Sequence, residues 1–107
     1  MEMAEIKKRV NNIEHTIHRT AQVCEQDHSA PLELKQVLGQ LDQQSSQGKQ
    51  IIRETHDESR VRQYIEALES LGDNAKRACE SGKVSAELRS AVMQTHDELS
   101  SLKHLLH

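Results

Sequence analysis

The sequence predicts an all-α chain folded as an antiparallel up-down-up-down four-helix bundle with short turns. Three observations carry this. The hydrophobic pattern is helical from end to end, with apolar residues at alternating three- and four-residue steps. The breaks are short and hold turn residues, as in His28-Ser29-Ala30-Pro31 and Ser81-Gly82-Lys83. At 107 residues the chain fits one domain, 1–107, with helices expected near 2–27, 31–54, 57–81 and 85–106.

The first helix carries Met3, Ile6, Val10, Ile13, Ile17, Thr20 and Cys24, a heptad seam without a miss. Pro31 then suits a first helical position, where its missing donor costs nothing. The second seam is Leu34, Leu38, Leu41, Ser45, Gly48, Ile52 and Thr55, widened by Val37 and Ile51. Its middle, from Gln43 to Gln50, is the weakest stretch, since Gly48 costs about 1 kcal/mol of helix propensity against Ala. The seam keeps phase on both sides, so the helix is expected to continue.

Thr55-His56-Asp57-Glu58 reads as a capping box opening the third helix. Val61, Tyr64, Ile65, Leu68, Leu71, Ala75, Ala78 and Cys79 follow, with Gly72-Asp73-Asn74 as a candidate kink. Gly82 suits a left-handed cap. Ser85 opens the fourth helix, on which Leu88, Val92, Thr95, Leu99, Leu102 and Leu106 form the last seam. Thr-His-Asp-Glu recurs at 95–98, but there the seam runs through it. Cys24-Glu25 before Glu33-Leu34, and Cys79-Glu80 before Glu87-Leu88, suggest a doubled helical hairpin.

Composition narrows the function classes. The net charge is -3, and each predicted helix stays within about two units of neutrality, so no basic face and no nucleic-acid partner are expected. Tyr64 is the only aromatic residue. Base stacking is therefore unavailable, and a dedicated small-molecule pocket is disfavoured. No signal peptide or membrane span is evident, which points to a soluble chain in the cytoplasm, bacterial in style, with no membrane partner. The small residues on the seams predict moderate stability, which a homodimer would raise.

Seven histidines are many for this length. Bundle topology sets His56, His104 and His107 at one end, near Glu2 and Glu5. Counting levels sets Glu14, His15, His18, His96 and Asp97 along one groove. Imidazoles beside carboxylates suit a divalent ion, so His18, His96, His56 and His104 are the weak metal candidates. Solvated side chains, favoured near a helix C-terminus by the dipole, account for them more simply, and no cofactor is expected. Glu25-Gln26-Asp27-His28 has the Glu-x-x-His spacing of di-iron bundles but no second copy. His18 invites comparison with histidine phosphotransfer domains, yet lacks the Lys and Gly that follow their histidine. Cys24 and Cys79 fall on diagonal helices and read as buried thiols.

No catalytic constellation emerges, so the chain is not expected to be an enzyme. The leading expectation is a protein-interaction module that presents helix faces to another protein. A metal- or pH-responsive histidine bundle and a phosphotransfer-like protein are the alternatives. Leu41, Ser45, Gly48 and Ile52 form the expected interaction surface. Small residues there either accept a bulky neighbour such as Tyr64 or leave a groove for a partner helix.

Overall fold

Four helices form in the computed structural model, which describes residues 2–106: α1 (Met3–Gln26), α2 (Leu32–Glu54), α3 (Glu58–Ser81) and α4 (Ala86–Leu105). Each starts and stops within two residues of its expected bounds. Ile6, Val10, Ile13, Ile17, Thr20 and Cys24 of α1 are all buried, so its seam faces inward along its whole length. The α4 seam is equally complete, from Leu88 through Leu102 to Leu106. α2 runs unbroken through 43–50 and α3 through 72–74, so neither Gly48 nor Gly72 interrupts its helix. Burial of one face outweighs local propensity in both places.

The links at 27–31, 55–57 and 82–85 are too short for anything but antiparallel neighbours. α1 packs on α2 and α4, and α3 packs on α2 and α4, which leaves α1–α3 and α2–α4 diagonal. The bundle measures 41 × 23 × 17 Å. Its core is aliphatic: Ile6, Leu34, Leu41, Val61, Ile65, Leu88 and Leu99 are fully enclosed. Ile51 lies outside it at 55% exposure, because the residue before the seam position Ile52 is turned about 100° toward solvent. No helix among the described residues is long and apolar enough to cross a membrane.

The helix ends depart from expectation in three places. Asp57, not Thr55, caps α3: its carboxylate accepts from the Ser59 amide at 2.9 Å. Thr55 ends α2 and accepts from the Asp57 amide at 3.1 Å, so the two residues share the turn. Pro31 is the residue before α2 rather than its first residue, and its φ of -58° already suits the helix. Gly82 is extended (φ -130°, ψ 170°), not left-handed. Its value is space, since a Cβ there would stand 2.7 Å from the Pro31 ring.

Ser85 does open α4, accepting from the Leu88 amide at 3.2 Å. At the same end Asp27 takes the Ser29 hydroxyl at 2.6 Å and the Ser29 amide at 2.9 Å. Those bonds, with the nearby Ser85 hydroxyl, hold the Asp27 carboxyl down at about 2.

The two kinds of glycine are separable by experiment. Gly82→Ala must push against a rigid ring and is expected to destabilise the fold by about 1–3 kcal/mol. Gly39 lies in mid-helix with nothing near its missing Cβ. Gly39→Ala is expected to stabilise by about 1 kcal/mol through helix propensity. Urea melts of the two variants measure both signs.

Candidate functional site

The notch expected on α2 is filled from within the molecule. Tyr64 on α3 lays its ring against Gly48, where a Cβ would stand 2.9 Å from Cδ1 and 3.1 Å from Cζ. The ring covers Ser45, and Leu41 and Ile52 are buried in the core beside it. The four do not form one open groove, and only Ile52 borders a notch, the one between α1 and α2. A leucine at position 48 would have to expel the ring, so Gly48→Leu alters the core before it alters any surface.

The Tyr64 hydroxyl donates to Glu14 Oε2 at 2.8 Å and lies 3.1 Å from the Ser45 carbonyl. This one group therefore touches α1, α2 and α3. Glu14 is only 9% exposed, and burial pushes its carboxyl above the ordinary range. The Tyr64 bond and the charges of Lys49 and Arg53 oppose that shift. Burial, reinforced by the neighbouring carboxylate, raises the Tyr64 hydroxyl in turn, so it remains a donor.

The histidines are not brought together. His18 turns toward α2, with Nδ1 3.2 Å from Asp42 and Nε2 3.2 Å from Gln22. His96 turns toward α3, with Nε2 2.7 Å from Asp73. Glu14 points to Tyr64, so the groove expected to join Glu14, His18 and His96 does not form. His15, His56 and His104 are exposed, and His107 lies outside the described residues. Glu25 and His28 are exposed too. Among the described residues no three His, Cys, Asp or Glu side chains are placed to hold a metal ion. Cys24 and Cys79 are buried free thiols, and burial pushes both upward in pKa.

One side of the bundle is held by hydroxyls instead of aliphatic chains. The Thr20 and Thr95 hydroxyls meet at 2.9 Å between α1 and α4. Each also has a carbonyl one turn back in reach, Thr16 O at 2.8 Å and Ala91 O at 2.9 Å. One proton bridges the helices while the other goes to backbone. Thr16 adds a bond to Glu98 at 2.9 Å. Beside this ladder α1 and α4 leave an open furrow of about 1080 Å³. Ile13, Met93 and Leu102 lie at its base, with Arg9, Asn12 and Asp97 on its walls.

A second, smaller notch of about 310 Å³ lies between α1 and α2. It gathers Lys7, Lys8, Lys49 and Arg53 around Asn11 and Glu14. Near-neutral totals per helix conceal this cluster, because its charges come from two helices. The signal was present in the sequence as side-by-side faces: 7, 8 and 11 on one helix, 49 and 53 on the next.

Glu14 makes stability depend on pH with an unusual sign. Its folded pKa lies above the unfolded value, so the folded chain holds this proton more tightly. The penalty of burying the carboxylate is absent below the ordinary carboxylate range and sets in as pH rises through the raised value. Glu14→Gln keeps an oxygen for Tyr64 and removes the charge. It is expected to match the wild type near pH 4 and to exceed it in stability at pH 7. Denaturant melts at the two pH values test this, and a less stable variant at pH 7 contradicts the dominance of burial.

No protein-family model, characterised protein or solved structure matches this chain.

Proposed function

We propose that the chain is a cytoplasmic protein-interaction module that performs no chemistry itself and receives an amphipathic helix of another protein. The furrow between α1 and α4 is the observation that carries this reading. Its lining combines three apolar side chains, Ile13, Met93 and Leu102, with a polar and charged surround, as protein interfaces do. It follows α1 from Glu5 to Thr16, about 16 Å or three turns at the usual rise. A helix laid there would join the bundle as a fifth member, packed about 8–10 Å from both neighbours.

The walls carry both signs, Lys8 and Arg9 on α1 against Asp97 and Glu98 on α4. Such a rim sets the orientation of an incoming helix more than its affinity. The reading moves the docking face from α2 to the opposite side of α1. The sequence suggested α2 because small seam residues there imply missing volume, and Tyr64 supplies that volume.

The test uses the partner captured from the native host by the wild-type chain. Ser90→Arg with Ser101→Arg would block the furrow at exposed positions. Affinity for that partner is expected to fall at least about tenfold, as when a central contact is lost. Gly39→Arg, on α2, is the control and should bind as wild type. Equal binding by all three proteins overturns the reading. So does sedimentation showing a homodimer that the furrow variant dissolves, since a second copy would then be the occupant.

A further inference from the structure

Four cationic side chains meet where α1 begins and α2 ends. Lys7 and Lys8 come from α1, Lys49 and Arg53 from α2, and a notch of about 310 Å³ lies between them. None of the four has a carboxylate within ion-pair distance among the described residues, although six other pairs form over the rest of the surface. The one carboxylate in the lining, Glu14, already holds the Tyr64 hydroxyl. Four like charges gathered in a chain of net charge -3 repel one another, and the single Glu14 carboxylate, which feels Lys49 and Arg53, offsets only part of them.

The cluster is also held in place. Lys7 Nζ donates to the Arg53 carbonyl at 2.8 Å, close to the end of α2. That bond uses one of three ammonium protons and leaves two to point elsewhere. It ties the α1 cations to the α2 cations at a fixed separation. Asn11 adds an amide donor to the same lining.

We propose that this notch binds a phosphate-class oxyanion carried by a small soluble molecule. Ammonium groups act as point charges toward phosphate, and the Arg53 guanidinium offers a two-pronged donor. The volume exceeds that of one bare tetrahedral ion, so a diphosphate or a compact phosphate ester fits. No aromatic residue lines the notch, so recognition is by charge and donors and not by stacking on an attached ring. The site is concave between two helices, which suits a free anion better than a flat bilayer surface. It shares only Lys8 with the lining of the α1–α4 furrow and does not depend on the docking role proposed for that furrow.

The experiment is a titration of the full chain with sodium pyrophosphate, followed by amide NMR shifts. Saturable shifts are expected at Asn11, Lys49 and Arg53, with an affinity that falls as salt is added. Lys8→Glu and Arg53→Glu, both at exposed positions, should each weaken binding at least about tenfold while thermal melts remain cooperative. Lys76→Glu on α3 should bind within about twofold of wild type, since charges beyond a Debye length are screened. Shifts that sodium chloride reproduces, or that spread over all lysines, overturn the proposal. So does citrate binding as tightly as pyrophosphate, which would make the notch a carboxylate site. Co-sedimentation with phosphatidate vesicles without any response to pyrophosphate would place the phosphate on a lipid and overturn the soluble ligand.

Discussion

A single phenol ring joins three of the four helices. Tyr64 leaves α3, packs its ring against Gly48 of α2, and donates a hydrogen bond to Glu14 of α1. Apart from Glu14, the buried side chains of the bundle are aliphatic chains, thiols and hydroxyls. An aliphatic core has little shape to fix rotation about each helix axis, since Leu and Ile side chains exchange places at small cost. The ring and its two oxygen neighbours supply that specificity. They also explain why α2 remains helical where its local sequence is weakest: Gly48 is required for space, and its propensity cost is offset by the ring that covers it.

The same geometry decides which sides of the bundle close and which stay open. Between α1 and α2 a notch opens beside Glu14, where Lys7, Lys8, Lys49 and Arg53 gather. Between α1 and α4 hydroxyl pairs take the place of interlocking branched chains. Threonine hydroxyls hold two helices by direction, but fill less volume than leucine would. The furrow along Ile13 and Leu102 lies next to this ladder and meets it at Thr16.

The fold was legible because every seam residue from Ile6 to Leu106 reports the same period, and burial follows that period closely. Helix ends were less legible. Thr55 and Asp57 both have the chemistry of a cap, and only the turn geometry assigns Asp57 to α3 and Thr55 to α2. Gly82 shows the same limit: a glycine after a helix suggests a left-handed turn, whereas here it makes room for Pro31, distant in sequence. The histidine levels were counted correctly along the axis, but direction around it decides contact. His18 lies four residues after Glu14 and so shares its α2-facing side, while His96 shares with Lys103 the side facing α3. The α1–α4 furrow is lined by other residues of those helices, such as Asn12, Ile13 and Met93, whose shared side the spacing alone does not fix.

Native-state hydrogen exchange of the α2 amides tests the central claim most directly. If Tyr64 seated on Gly48 holds the middle of α2, the amides of 43–50 are expected to exchange as slowly as those of Leu38 and Ile52, opening only with global unfolding. In Tyr64→Ala that segment alone should lose protection while the α4 core amides keep theirs relative to the variant's own stability. Fast exchange across 43–50 in the wild-type protein would contradict the account.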